Sequence, residues 1–165
     1  MNQVVPSSKR GSHEIATAEN REDFVTMFIE GQMFGIPVLQ VQDVLGPQRI
    51  TRIPLAPPEV AGSLNLRGRI VTAIDLRKRL RLAKPADKDQ SMSVVVDQGG
   101  EQYSLLVDSV GEVLSLAAST YERNPATLDP NWREVSVGIH RLDGNLLIIL
   151  DVPRLLDFAT NVDAA

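Results

Sequence analysis

The stretch that decides the fold is FGIPVLQVQDVL, which runs from Phe34 to Leu45 and recurs as YSLLVDSVGEVL, from Tyr103 to Leu114. The two copies lie 69 residues apart, each begins with an aromatic residue, and each has valines in the spacing V-x-x-V-x-x-V-L. The acid Asp43 of the first copy falls on another acid in the second. Self-similarity at a fixed offset is the sequence signature of a duplicated structural unit.

A second pair of matching blocks follows in the same order, at an offset of 76 residues. The seven extra residues fall in the loop around Ser119–Trp132, where an insertion is easiest to accommodate. We interpret the chain as a tandem duplication of a β unit of roughly 60 residues. The matching residues of this block are Gly62, Gly68, Ile74, Asp75 and Leu80, which fall on Gly138, Gly144, Leu150, Asp151 and Leu156.

Short apolar runs separated by turn residues predict a mostly β protein. The clearest hairpin signal is Asp143-Gly144 between two such runs, because this dipeptide suits tight hairpin turns. Each half offers about five short strands and a short helix, and a sheet of that size hides its edges by closing into a small barrel. A barrel of roughly 60 residues is marginal alone. The sequence therefore predicts two tandem five-stranded barrels packed on a shared hydrophobic core.

The valine stripe of the first copy cannot lie on one face of an extended strand, because side chains on a strand alternate with a period of two. Val38, Val41 and Val44 therefore predict a bend or turn within the stripe, with one valine facing outward. An outward valine on a rim is a candidate contact for a partner protein.

Polar segments at both ends set the expected limits of the domain. We predict a flexible N-terminal tail over residues 1–22, one domain over residues 23–158, and a C-terminal tail over residues 159–165. Within the domain, the first barrel is expected at about residues 23–82 and the second at about residues 91–158, and exchange of strands between them stays open.

The composition argues against several classes of protein. A net charge of −4 and a pI near 5.2 disfavour a dedicated nucleic-acid binder. The absence of cysteine excludes disulfides, thiol catalysis and cysteine-ligated metals. No apolar run approaches the roughly 20 residues of a membrane span, and the N-terminus lacks the apolar stretch of a signal peptide. We therefore expect a cytoplasmic protein without membrane insertion.

Residues with catalytic potential form no constellation in the sequence, so we predict neither an enzyme nor a cofactor or metal site. Of the two histidines, His13 falls in the predicted tail, and His140 is expected at the surface of a strand. Asp75 and Asp151 each precede a short helix at matching places in the repeat. This placement predicts helix N-caps rather than a catalytic pair of carboxylates.

A basic segment runs from Arg67 to Lys88, with eight basic and two acidic residues in a chain of net negative charge. Such a segment is usually a solvated face, but it also offers a surface for an anionic partner. An alternative function therefore stays open, a β-barrel module that binds nucleic acid or another anionic partner. The few aromatic residues available to stack on bases are not interleaved with this segment.

The segment NLRGRIVTAIDL, from Asn65 to Leu76, resembles the CheW family of chemotaxis coupling proteins. Further blocks in the family's order extend the resemblance over most of the chain, from Phe24 to Phe158. These blocks are F-G-I-P-V-x-x-V-Q-D-V (Phe34–Val44), T-R-I-P (Thr51–Pro54), A-P-x-x-x-x-G (Ala56–Gly62), V-D-S-V-G-E-V-L (Val107–Leu114) and L-I-I-L-D-V-x-x-L-L (Leu147–Leu156).

The resemblance implies a Src-homology-3-like two-barrel fold and a non-enzymatic adaptor. Family members bridge the regulatory domain of a chemotaxis histidine kinase to the cytoplasmic hairpin tip of chemoreceptors, in arrays beneath the inner membrane. The implied receptor-binding residues are Val41, Asp43 and Arg67, and the implied kinase-binding residue is Gly62. A groove flanked by Val41 and Arg67 suits a helical hairpin, because apolar anchors enter the groove while a guanidinium reaches glutamates on the helix. No nucleic-acid partner is expected.

Overall fold

The computed structural model describes residues 20–158, which form a mostly β structure with three short α-helices, as predicted. The strands are β1 (Arg21–Ile29), β2 (Gln32–Pro37), β3 (Val41–Leu45), β4 (Val60–Leu66), β5 (Arg69–Asp75), β6 (Met92–Gln98), β7 (Glu101–Val107), β8 (Ser109–Ala117), β9 (Tyr121–Glu122), β10 (Ser136–Leu142) and β11 (Asn145–Leu150). The helices are α1 (Leu76–Arg79), α2 (Pro130–Arg133) and α3 (Val152–Leu155), and 3-10 turns lie at Val38–Gln40 and Ala118–Thr120.

The strands form two sheets with the same internal order. One sheet runs β8-β1-β2-β11-β10-β9 and the other runs β3-β6-β7-β5-β4. Under the offsets of the sequence repeat, β7, β8, β10 and β11 are the counterparts of β2, β3, β4 and β5. The first five strands of the larger sheet therefore repeat the order of the smaller sheet. The extra strand, β9, has only two residues, which makes the larger sheet six-stranded rather than five-stranded.

Each sheet takes its strands from both halves of the chain. The hairpin β1–β2 lies in the larger sheet, beside β8 and β11 of the second half, whereas β3, β4 and β5 lie in the smaller sheet with β6 and β7. The exchange is made by two parallel pairings, β2 with β11 and β5 with β7. The expected barrel limits, residues 23–82 and 91–158, therefore do not coincide with the sheets, because the chain leaves one sheet for the other after its first hairpin.

One hydrophobic core joins the two sheets. The Phe34 ring packs edge-on against Trp132 with centroids 5.5 Å apart, and the indole N–H of Trp132 donates to the carbonyl of Leu80, at 3.1 Å. This tryptophan therefore fastens α2 to the chain beyond α1. The largest fully buried side chains of this core include Met27, Ile29, Phe34, Ile36, Ile74, Leu76, Leu80, Leu105, Ile139 and Ile148.

The predicted helix caps and the predicted bend in the valine stripe are confirmed. The Asp75 carboxylate accepts from the Lys78 N–H that opens α1, and the Asp151 carboxylate accepts from the Arg154 N–H of α3, each at 3.2 Å. The 3-10 turn that begins at Val38 bends the chain between β2 and β3. Beyond that turn the last valine of the stripe, Val44, is exposed.

His140 was expected at the surface of a strand, and this prediction is wrong on burial, because the side chain is only 3% exposed. Phe24 and Tyr121 cover the imidazole with ring centroids 5.5 and 5.7 Å away, and its Nδ1 lies 2.9 Å from the hydroxyl of Thr120. The segment that carries β9 therefore covers this face of β10. Burial lowers the pKa of His140, against a smaller opposing effect of the Glu22 charge.

The predicted tails fall largely outside the described residues. β1 already begins at Arg21, two residues inside the predicted N-terminal tail of residues 1–22. Residues 1–19 of that prediction, with His13, and the predicted C-terminal tail lie outside the described range.

The buried imidazole predicts a pH-dependent loss of stability. Because its pKa is lower in the folded chain than in the unfolded chain, its contribution is complete above about pH 6.5 and is lost as the pH falls toward the folded-state pKa. Urea unfolding of the wild type and His140→Gln between pH 7.5 and 5.5 should show an extra slope in the wild type alone, of at most about 1.4 kcal/mol per pH unit. Parallel curves for the two proteins would contradict this role of His140.

Candidate functional site

Arg67 and Asp43 meet across the two edge strands of the smaller sheet. β3 and β4 stand at opposite ends of the strand order, yet Nη2 of Arg67, just after β4, lies 2.8 Å from Oδ2 of Asp43 in β3. The sheet therefore curls until its edges approach each other at this ion pair. Val41 begins the same strand as Asp43, so the structure brings the three predicted receptor-binding residues to one edge.

The backbone at Arg67 explains the residues of the N-L-R-G motif. Arg67 and Gly68 form the two-residue turn between β4 and β5, and both have a positive φ, of 53° and 83°. Two positive φ values are characteristic of the type I′ hairpin turn, where glycine is favoured at the second position. The Gly68 N–H donates to Oδ1 of Asn65, at 2.9 Å. The asparagine and the glycine thus fix the turn that presents the arginine.

The guanidinium of Arg67 is accessible although it is paired. Its side chain is 76% exposed, whereas that of Asp43 is 23% exposed. Oδ1 of Asp43 accepts from the N–H of Val44, at 2.9 Å, so the carboxylate is oriented from both sides. An exposed ion pair of this kind contributes little to stability, about 0 to 1 kcal/mol. It does restrict the rotamers of Arg67 while leaving other guanidinium N–H groups free to face solvent.

Two exposed apolar side chains border the edge that carries Arg67, and the sequence analysis did not single out one of them. Ile70 is 73% exposed and lies opposite Asn65 in the β4–β5 pairing. The sequence contained a signal for this residue, because neighbouring residues of a strand face opposite sides of the sheet. Ile70 is followed directly by Val71, which is buried. Val44 is the exposed valine that the stripe predicted, while Val41 is half-buried against the core.

Gly62 is buried, and a neighbouring segment of the chain packs closely against it. At its φ of 150° a Cβ would lie 2.2 Å from the carbonyl oxygen of Thr51 and 2.8 Å from Cγ2 of Ile50. Thr51 and Ser63 exchange two backbone hydrogen bonds beside it, both of 2.8 Å. The glycine therefore seats the segment that precedes Arg52 against β4, and direct contact of a partner with Gly62 is blocked by that segment.

Two arginines of the basic segment are used inside the structure. Arg77 makes a two-pronged contact with Asp108, at 2.9 and 2.7 Å, and this hydrogen bonding lowers the pKa of Asp108 and raises that of Arg77. Arg79 donates to the carbonyls of Leu155 and Arg154 and lies over the Phe158 ring. Neither guanidinium is free for an anionic partner, which weakens the alternative of a nucleic-acid-binding module.

The described part of the chain offers no group of three or more histidine, cysteine, aspartate or glutamate residues that could hold a metal ion. Over the same residues, no helix has the length and apolar character needed to cross a membrane.

The CheW-like domain family matches residues 23–159 of this sequence. The chain belongs to the CheW family. The chemotaxis protein CheW of Klebsiella aerogenes is 30% identical over 135 residues, which are 82% of this chain and 81% of that protein. The CheW protein of Bacillus subtilis is 28% identical over 86% of this chain and 91% of its own length.

The fold agrees with that of a solved CheW protein. The crystal structure of the scaffolding protein TtCheW from Thermoanaerobacter tengcongensis matches with a TM-score of 0.69 and 31% identity, over 78% of this chain and 88% of that chain. The resemblance drawn from the motifs is therefore confirmed, and so is the β fold that it implied. The chain is a chemotaxis protein of the CheW family, and scaffolding is the role named for its structural relative.

The close contacts around Gly62 predict that one added methyl group there will lower the stability of the fold. Gly62→Ala should lower the free energy of unfolding by about 2 kcal/mol or more, since the new Cβ would overlap backbone atoms of Thr51 at a φ that alanine rarely adopts. Gly46→Ala is the matched control, because nothing lies within 4 Å of a Cβ there, and its change should stay within about 0.5 kcal/mol. Equal stability of the two variants in chemical denaturation would contradict the seating role.

Proposed function

We propose that this protein is a chemotaxis coupling protein that joins the cytoplasmic hairpin tips of chemoreceptors to the regulatory domain of a chemotaxis histidine kinase. It acts by binding and without catalysis, on the cytoplasmic side of the inner membrane, as a part of a signalling array. The observation that carries the proposal is the exposed Arg67 guanidinium, held on a tight turn beside Asp43 in a chain of the CheW family.

The geometry at Arg67 suits recognition of a carboxylate on a helix. Arginine presents five N–H donors in a planar fork, and Nη2 of Arg67 lies 2.8 Å from Asp43 while the side chain stays 76% exposed. The remaining donors are available to a glutamate of the receptor hairpin, for which a two-pronged contact is the preferred arrangement. Because Asp43 already restricts the side chain, less rotamer entropy is lost when the second carboxylate binds.

The apolar residues around this fork supply the other half of the contact. Val41 is half-buried on β3, whereas Val44 and Ile70 are exposed. A helix that lays an apolar face along an edge of this kind buries anchors spaced three or four residues apart. We place the receptor hairpin here, with Val41, Asp43 and Arg67 as its contact residues.

In the proposed function, Gly62 contributes to kinase binding indirectly, through the segment that packs against it. Since Gly62 is itself buried, its contribution is to hold Thr51 and the residues that follow in place for the regulatory domain. A side chain at this position would displace that surface without touching the partner.

The decisive experiment is a titration of the purified protein against a chemoreceptor cytoplasmic fragment and a kinase regulatory domain, first separately and then together. Saturable binding to each, with both bound at once, is the result expected of a coupling protein. Binding to neither fragment, together with salt-sensitive binding to nucleic acid, would favour the alternative function of the basic segment.

Arg67→Glu tests the receptor site. It should weaken binding of the receptor fragment by about tenfold or more, because a carboxylate then faces the glutamates of the helix, and it should leave kinase-domain binding unchanged. Calorimetry measures the binding and thermal unfolding measures the stability, whose loss should not exceed about 1 kcal/mol.

Arg141→Glu is the matched control for this variant. Arg141 is also exposed and paired, at 3.0 Å from Glu122, but it lies in the larger sheet. The same charge reversal there should leave receptor binding unchanged. Equal losses of receptor binding in the two variants, or a collapse of the fold in Arg67→Glu alone, would overturn the assignment of Arg67.

A further inference from the structure

Leu55 is unusual both in its backbone conformation and in the exposure of its side chain. It occupies the third position of a turn from Ile53 to Ala56, which the Ala56 N–H closes on the carbonyl of Ile53 at 3.4 Å. Its φ is +64°, a value that favours glycine or asparagine at this position of a turn. Its apolar side chain is also fully exposed. Backbone strain of this kind is concentrated at binding and switch sites, so the turn is a candidate for contact with a partner.

The residues around Leu55 form a cationic surface with an apolar centre. Ile53 and Leu55 border a groove of about 510 Å³ that is also lined by Arg52, Lys78 and Lys88. Within the described residues, none of these three cations forms an ion pair. We call these five residues the Leu55 surface.

The one carboxylate that lines this groove offsets at most one of its three positive charges. Asp75 is buried, and its two oxygens accept from the N–H groups of Lys78 and Ala86, at 3.2 and 2.9 Å. Arg52, Lys78 and Lys88 are all exposed, so the groove carries a net positive charge in a chain whose net charge is −4. The complementary partner is acidic around its rim and apolar at its centre.

The segment that carries Leu55 is anchored to β4 by backbone hydrogen bonds. The two hydrogen bonds between Thr51 and Ser63, packed over Gly62, anchor the chain immediately before Arg52. A turn that is already ordered loses little conformational entropy when it binds. An exposed leucine on such a turn can enter an apolar recess of a partner with most of its hydrophobic gain retained.

The Leu55 surface lies apart from the Arg67 turn. Arg67 lies five residues beyond Gly62 along β4, which is roughly 16 Å at the usual rise per strand residue. A coupling protein must hold two partners at once, so it needs a second surface at such a distance from the first.

We infer that the Leu55 surface docks an acidic protein face that has an apolar recess for Leu55 and carboxylates opposite Arg52, Lys78 and Lys88. Within the proposed function, on which this inference rests, the occupant is the kinase regulatory domain and not the receptor hairpin. Ile53 lies beside Leu55 at the apolar centre, and the lysines form the rim.

Leu55→Asn tests the apolar centre. Asparagine tolerates a positive φ, so the turn should keep its shape and the free energy of unfolding should stay equal or rise. Binding of the kinase regulatory domain should weaken by about tenfold or more, while binding of the receptor fragment stays unchanged. Val113→Thr is the control, because Val113 is an exposed apolar residue on β8 in the larger sheet.

Arg52→Glu tests the cationic rim. It should weaken kinase-domain binding and reduce the dependence of that binding on salt concentration. Arg123→Glu, an equal charge reversal at an exposed residue after β9, should alter neither quantity. Stability measurements on all four variants separate a binding effect from a folding effect.

Binding by the unaltered protein and by Leu55→Asn separates a failure of the Leu55 surface from a failure of the proposed function. If the unaltered protein binds neither fragment, the proposed function fails and the inference fails with it. If it binds both, and Leu55→Asn binds the kinase domain as tightly as the unaltered protein does, only the inference is overturned. Loss of receptor binding in Leu55→Asn would overturn the choice of occupant.

Discussion

The parallel pairing of β2 with β11, mirrored by that of β5 with β7, is the constraint on which the rest of the structure depends. Each pairing joins a strand of one half of the chain to a strand of the other. Neither half contains a complete sheet, so the two halves share one core by construction. The edge that carries Arg67 exists only because β6 and β7 of the second half lie between β3 and β5.

Both proposed partner surfaces centre on a turn beside β4 in which a residue other than glycine has a positive φ. Arg67 and Leu55 are two of the four residues other than glycine with a positive φ among those described. One follows β4 and the other precedes it, in the loop that Gly62 fastens to that strand. A coupling protein works by geometry alone, so the orientation of its contacts matters more than the strength of any single one.

Local features of this fold could be predicted from the sequence, and features that depend on distant strands could not. The N-caps Asp75 and Asp151 follow from the residues next to them, and the repeat identified the duplicated unit. The exchange of hairpins left no local signal, since the strands that pair with β1 and β2 from outside the hairpin, β8 and β11, are distant in sequence. The burial of His140 and the role of Gly62 depend on the approach of Tyr121 and Thr51, which sequence spacing does not reveal.

The exchanged hairpin has a consequence for the synthesis of the chain. Gly35 in β2 pairs with Ile149 in β11, and the ribosome makes them more than a hundred residues apart. At roughly 5 to 20 residues per second, both outer edges of the first hairpin therefore stay uncovered for several seconds or more, until β8 and β11 are made. Strand edges and apolar faces left open for that time are prone to aggregate, so translation is the stage at which this fold is most exposed to misassociation.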